Sequence, residues 1–376
     1  MATFSAMACA FRLSTASRPD TVQELEELVR THNVVFVRGP PKSGKTELAL
    51  LLRHHLKTQG KPVIYHNHWT HSPGNNGSLH EENGKVANDE ELLVHAKKEG
   101  FNINRTTLLE QEVFWILDDV HHTYQDKAFW TSFIRRYPNT RKNGICLFAQ
   151  YGDPLFGVDI FSFDPFASRG SAWFGPQQRV STTPKSDSSD SPQFGIYFTM
   201  SECYEYLERF CSHPSSSLKL DPSAMDYIVD LTKGHPGALA ALIVVLSNLT
   251  DYFHRDPGTS ITLKTTIMDL LEGKLKANFF IKLHDTPFGE SLASGTKLTP
   301  ESLRILRQAV LKGSIPFNQL DSGVRQCVEE GWLCVDFPGL SDCPSDLVCT
   351  FPTPLHSRMT QFLLMTMGRN QWLYLN

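Results

Sequence analysis

The chain contains no Cys-x-x-Cys pair, and its eight cysteines (Cys9, Cys146, Cys203, Cys211, Cys327, Cys334, Cys343 and Cys349) are scattered. Their irregular spacing excludes the common structural zinc motifs and favours packed thiols in a reducing compartment. The sequence also lacks an apolar run of bilayer-spanning length; the longest, Gly237–Leu246, suits a buried helix. No membrane span is therefore expected. Charge of either sign is not in excess, with a formal net charge of −4 over 376 residues. That balance gives no global footprint for nucleic acid, although a basic patch on one domain would be hidden in the sum. No acidic residue precedes Asp20, while Arg12 and Arg18 are present. This composition is shared by transit peptides, frayed tails and misjudged gene starts, and a flexible tail over residues 1–20 is the expectation.

What is present is more specific. The length exceeds what one hydrophobic core usually supports, so two or three domains are expected. Asn33–Val37 is a β-branched and aromatic run of the kind that forms a buried parallel strand, and the segment after Lys45 carries apolar residues at helical spacing. Between them Gly39, Pro40, Pro41, Lys42, Ser43, Gly44, Lys45 and Thr46 satisfy G-x-x-x-x-G-K-[ST]. In that pattern backbone N–H groups turn inward, the helix dipole favours anions, and the lysine reaches the terminal phosphates. A chance Gly/Pro turn would not need the strand before it and the helix after it. The nucleotide-binding set is read as Gly39 through Glu47, with the Thr46 hydroxyl on Mg2+.

Further strands are read at Lys61–Trp69, Glu112–Val120, Gly144–Gln150 and Phe194–Thr199, alternating with helices at Asn88–Gly100 and Asp126–Pro138. That order predicts a parallel sheet covered on both faces, in an NTPase core over residues 21–200. The excursion Tyr151–Gln193, which includes a Ser/Asp/Pro-rich tract, is read as a mobile surface insertion. From Ser201 the pattern becomes helical, broken at Gly234, His235 and Pro236. A helical lid and linker helices over 201–296 are expected. From Pro300, two helices, a β-hairpin and a last helix suggest a winged-helix-like domain over 297–376.

Hydrolysis needs a metal and a positioned water as well as a phosphate cradle. Asp118 ends an apolar strand and is the candidate for holding Mg2+, since the carboxyl ends of parallel strands line the ligand crevice. Asp119 is the candidate for polarising the attacking water. Lys45 and Gln150 complete the catalytic set, Gln150 as a sensor of the γ-phosphate at the end of a neighbouring strand. Arg135, Arg136 and Arg179 are available as arginine fingers, but nothing in the spacing selects one, so nothing in the sequence calls for fast turnover. His66, His68, His71 and His80 match no common metal spacing, and His66 and His68 simply alternate along a strand.

Taken in order, the P-loop, "WILDDV", "GHPGAL" and the tail resemble the STAND class of signalling ATPases within the AAA+ group. "FVRGPPKSGKTELA", "WILDDVHHTYQDKAFW", "AQYGDP", "LTKGHPGALAAL" and "FPTPLHSRM" are similar to the NTPase region of Crinkler-type effector proteins, over residues 21 to 366. The resemblance implies that Pro236 packs near the adenine and that His356 touches the β-phosphate. It also implies ATP and ADP as ligands, and no guanine-reading NKxD motif is present. A trafficking header and a toxic C-terminal domain do not carry over, and neither do sensor repeats.

The expectation is an α/β P-loop NTPase with a helical lid and a winged-helix-like domain, an Mg2+-dependent ATPase working as a nucleotide switch whose lid and tail close over the nucleotide. Alternatives are a nucleotide-binding scaffold with negligible hydrolysis and a winged-helix DNA-associated protein; for the latter, Arg325 faces the opposing charge of Glu329 and Glu330 on the would-be recognition helix. Expected partners are nucleotide and either a protein or a second copy of the chain. The expected location is intracellular, cytoplasmic or nuclear, with an organelle or host-delivered destination as the alternative.

Overall fold

The computed structural model describes residues 17–69, 88–104, 112–124, 126, 129–134, 144–150, 176–183, 192–214, 216, 218–253, 264–292, 298–318, 320–336 and 347–371. The chain divides into two compact units. One comprises Arg18–Pro40 and Gly44–Ile196; the other comprises Met1–Ser17, Pro41–Ser43 and Tyr197–Asn376.

The first unit is an α/β layer structure. Its elements are α1 (Pro19–His32), β1 (Val34–Arg38), α2 (Lys45–Thr58), β2 (Val63–His66), α3 (Asn88–Lys98), β3 (Phe114–Leu117), β4 (Ile145–Ala149) and β5 (Arg179–Val180). They build a five-stranded sheet of order β2-β3-β4-β1-β5, and every described pairing in it is parallel. Alternation along each strand fills two separate cores. Val34, Phe36, Ile64, Trp115, Leu117, Ile145 and Leu147 pack on one face with Leu92 and Ala96 of α3 and with Trp130 and Phe133. Val35, Val37, Val63, Tyr65, Ile116, Cys146 and Phe148 pack on the other with Leu25 and Val29 of α1 and Leu48, Leu52 and Leu56 of α2. Burial on both faces is why these strands read as almost unbroken apolar runs.

One expected strand is absent. Phe194–Thr199 runs beside β5, with Ile196 N–H donating to the Ser181 carbonyl (3.0 Å), but forms no ladder. The consecutive carbonyls of Gly195 (3.0 Å) and Ile196 (2.8 Å) both turn to the buried Arg18 guanidinium, a geometry that a regular strand, whose successive carbonyls point to opposite edges, does not offer. The fifth strand is instead β5, inside the excursion read as mobile; most of that excursion, 151–175 and 184–191, lies outside the described residues.

A buried ionic group ties α1 to α2. Glu26 accepts from Arg30 Nε (2.8 Å), His55 Nε2 (2.9 Å) and Lys61 Nζ. Burial pushes the Glu26 pKa up, but Lys61, Arg30 and His55 outweigh it and hold the carboxyl below its usual value. A carboxylate with a depressed folded pKa stabilises the fold above its unfolded pKa and loses that contribution as pH falls through the folded one. Glu26→Gln is therefore expected to cost about 1–3 kcal/mol at pH 7. The gap to wild type should narrow as pH falls below the usual glutamate range and through the lowered folded pKa. Urea midpoints across pH check this, and equal midpoints at pH 7 would refute it.

In the second unit, α4 (Met200–Ser212), α5 (Pro222–Thr232), α6 (Pro236–Phe253), α7 (Lys264–Glu272), α8 (Lys276–His284) and α9 (Pro287–Leu292) are followed by α10 (Pro300–Lys312), β6 (Ser314–Pro316), α11 (Ser322–Glu329), β7 (Cys334–Asp336), β8 (Val348–Thr350) and α12 (Pro354–Gln371). β6, β8 and β7 form a three-stranded antiparallel sheet in that order. Helix α5 stops where Lys233 (φ 47°) and Gly234 (φ 74°) turn left-handed. His235 then accepts the Ala238 N–H at Nδ1 (3.1 Å) and starts α6. A Cβ on Gly234 would sit 2.2 Å from the Phe198 carbonyl oxygen, and the Gly234 carbonyl accepts the Phe198 N–H (2.8 Å). Gly234→Ala combines a left-handed penalty with a backbone clash and is expected to cost about 2–4 kcal/mol. An unchanged melting temperature would contradict this.

Candidate functional site

The site grows from the turn between β1 and α2. Gly39 N–H is fixed to the Ala149 carbonyl (3.2 Å) at the carboxyl end of the sheet. Lys42 (φ 60°) and Gly44 (φ 91°) then adopt left-handed conformations that reverse the chain. Helix α2 starts at Lys45, with the Leu48 N–H on the Gly44 carbonyl (2.9 Å). Gly44 offers α2 no side-chain cap, at a helix end whose N–H groups and dipole favour anions. Lys45 is buried, and its ammonium donates to the carbonyls of Gly39 (3.0 Å) and Pro40 (2.7 Å). The cation is thus stored against the turn itself.

Next to it, β3 delivers Asp118, 1% exposed. Its N–H is bonded to the His66 carbonyl of β2 (2.8 Å), and Trp69 Nε1 donates to its carbonyl (2.7 Å). The carboxyl accepts from the Tyr65 hydroxyl (3.1 Å) and the Asp119 N–H (3.0 Å), and bonds with the Thr46 side chain. Burial is the main cause that raises the Asp118 pKa, followed by the charge of Asp119; the bonds from Thr46, Asp119 and Tyr65 oppose them, and the net shift is upward. Burial, with Asp118 beside it, likewise pushes the Tyr65 phenol up, so Tyr65 stays a donor.

Asp119 has φ 51°, a conformation uncommon outside glycine and tolerated best by Asp and Asn. The backbone turn sends adjacent carboxylates to different places: Asp118 into the protein, Asp119 to a side chain 43% exposed. Strand β4, which ends just before Gln150, lies between β1 and β3, so Gln150 follows the strand flanked by the P-loop strand and the Asp118 strand. Its carbonyl accepts from the Tyr124 hydroxyl (3.3 Å).

The donor set fits a hard divalent cation. A hydroxyl and a buried carboxylate, both oxygens, meet beside a lysine, and a carboxylate whose charge is disfavoured by burial gains most from a nearby cation.

The other two candidates lie in the second unit. Pro236 is the first residue of α6, and its neighbour His235 packs edge-on against His356 of α12 at 4.9 Å between ring centroids. His356 is buried, shares a hydrogen bond between Nδ1 and the Thr353 hydroxyl (2.7 Å), and meets the Phe288 ring at 4.7 Å. Burial and then His235 push its pKa well down, leaving a neutral ring.

Sequence reading singled out neither Tyr65 nor His121, and saw His235 only as a helix break. Tyr65 could have been found by alternation, since it lies one residue before the end of a strand next to β3; His121 is placed by the short turn that follows Asp118, and His235 by its contact with His356, distant in sequence. Arg135 and Arg136 lie outside the described residues, and Arg179 sits in β5. Among the described residues no group of three metal-ligating side chains exists, and His71 and His80 fall outside them. Buried cysteines of the described set include Cys146, Cys327 and Cys349, while Cys9 and Cys343 lie outside the described residues. No described helix is long and apolar enough to cross a membrane.

No family model matches the chain, and no curated protein matches it. Among solved structures it is similar to a Walker-type ATPase of Pyrococcus abyssi, with a TM-score of 0.50 and 14% identity over 92% of this chain and 95% of that one. The Holliday junction branch migration motor RuvB of Thermotoga maritima gives 0.39 and 13%, over 88% and 92%. The ORC1 protein of Aeropyrum pernix, solved in complex with DNA, gives 0.40 and 10%, over 93% and 94%. With its parallel sheet flanked by helices and the loop between β1 and α2, the chain has the fold of a P-loop NTPase.

Proposed function

We propose that the chain binds Mg2+-ATP at the β1–α2 turn and hydrolyses it. The observation that carries this reading is at the head of α2, where Lys45 is held on the carbonyls of the turn and the next residue, Thr46, bonds with Asp118. Lys45 exchanges its two backbone carbonyls for phosphate oxygens, within the cradle Gly39 to Glu47. Thr46 and Asp118 would hold the metal, which when bound neutralises charge on the phosphate oxygens. Asp119, partly exposed and not engaged in holding Asp118's partners, accepts a proton from the attacking water. Gln150 reports the γ-phosphate.

The finer reading is a nucleotide-dependent switch of the STAND type, similar to Crinkler NTPase regions, with residues 21–200 as core, 201–296 as helical lid and 297–376 as a winged-helix-like domain. The order α10, β6, α11, β7, β8 supports the last assignment. Pro236 would contact the adenine and His356 the β-phosphate; the packing of His235 on His356 supports treating them as one element.

Titration calorimetry with ATP and GTP, with and without Mg2+, tests the reading. ATP is expected to bind in an Mg2+-dependent way and GTP at least about tenfold more weakly, a difference of one 1.4 kcal/mol step. Heat from neither nucleotide would overturn nucleotide binding; equal heats would overturn the adenine preference.

A further inference from the structure

His121 stands three residues after Asp118 on a short 3-10 turn, Val120–Thr123. The turn is held from several sides. Thr123 Oγ1 donates to the Val120 carbonyl (2.7 Å), Trp130 Nε1 donates to the Thr123 carbonyl (3.0 Å), and the His122 N–H donates to the Asp119 carbonyl (3.1 Å). The His121 side chain is 10% exposed and its ring lies against that of His122 at 4.2 Å between centroids. Among the described residues its Nδ1 has no hydrogen-bond partner, although it is shut off from solvent. Asp119 Oδ1 stands 3.9 Å from this nitrogen.

A buried, unsatisfied ring nitrogen is unusual and calls for a partner. The gap of 3.9 Å is longer than a hydrogen bond, and a small rotation of the exposed Asp119 side chain would close it. Burial, with His122 and Lys45 adding to it, keeps the ring neutral, with a pKa of about 3. A neutral imidazole has one N–H, so it can serve a carboxylate from Nδ1 only in the Nδ1–H tautomer.

We propose that His121 is the positioning residue for Asp119: its Nδ1–H donates to one carboxylate oxygen and leaves the other aimed at the attacking water. This deepens the hydrolytic reading above and rests on it. The role resembles that of outer groups orienting a catalytic side chain, whose loss typically costs about 10–100-fold in activity.

The test uses His121→Ala, His121→Asn and His121→Gln, alone and combined with Asp119→Asn. An Asn amide nitrogen falls near the place of Nδ1, and that of Gln near Nε2. His121→Ala is expected to lower kcat about 10–100-fold with KM nearly unchanged. His121→Asn should recover most of the loss and His121→Gln little, and His121→Ala should add nothing in the Asp119→Asn background. Equal activity of the Asn, Gln and Ala variants, or an additive loss on Asp119→Asn, would overturn the proposal. Nitrogen-15 NMR of the full chain, with and without Mg2+-ATP, gives a readout independent of turnover. An Nδ1–H tautomer at His121 that changes in Asp119→Ala supports the role; an Nε2–H tautomer indifferent to Asp119 refutes it. Should the wild type bind ATP without hydrolysing it, the ATPase reading fails, and the tautomer still decides whether His121 holds Asp119.

Discussion

Asp119→Asn is expected to bind Mg2+-ATP as the wild type does and to lose about 10²–10⁴-fold in hydrolysis, the range that general base catalysis usually supplies. The separation of the two effects follows from the geometry. Asp119 donates only its backbone N–H to the Asp118 carboxyl, so the amide substitution leaves the Thr46 and Tyr65 contacts of Asp118 in place. Its left-handed backbone (φ 51°) is one that Asn accepts about as readily as Asp. The fold and the proposed metal ligands should survive, while the proton acceptor is removed together with the charge that helps raise the Asp118 pKa. A kcat within a few-fold of wild type would show that another group activates the water or that none does.

Lys45→Ala is expected to do the opposite, weakening nucleotide binding by about 10–100-fold, as loss of charge-assisted hydrogen bonds to phosphate implies. Helix α2 should remain folded, because Leu48, Leu52 and Leu56 are fully buried on its core face. Lys45→Arg is not expected to rescue binding. The stored position, with one compact ammonium between the carbonyls of Gly39 and Pro40, suits three tetrahedral donors rather than a planar fork. Circular dichroism would confirm the helix, and calorimetry the affinity; binding undiminished in Lys45→Ala would place the phosphates elsewhere.

Much of the first unit was legible because its strands are buried on both faces. Val34–Val37, Phe114–Leu117 and Ile145–Phe148 alternate between two cores, both apolar, so each appears in sequence as a continuous run. The turn between β1 and α2 was legible because its glycines stand between such a run and an amphipathic helix. Helix α1 was not read, although Val22, Leu25 and Val29 fall at helical spacing and are buried, and it begins at Pro19, inside the stretch expected to be a flexible tail. The edge of the sheet was not. Strand β5 is two residues long in a polar stretch, while the convincing run at Phe194–Thr199 is diverted by the Arg18 guanidinium, whose partners are more than 170 positions away. The same limit hid His235 against His356, a pair brought together by packing that no local pattern records.

The most direct test measures Mg2+-ATP binding and phosphate release on the same samples of wild type, Lys45→Ala and Asp119→Asn. The account predicts that wild type binds and releases phosphate, Lys45→Ala does neither well, and Asp119→Asn binds without release. Binding by wild type with no release from any of the three would contradict it, and would leave a protein that holds its nucleotide and does not cleave it.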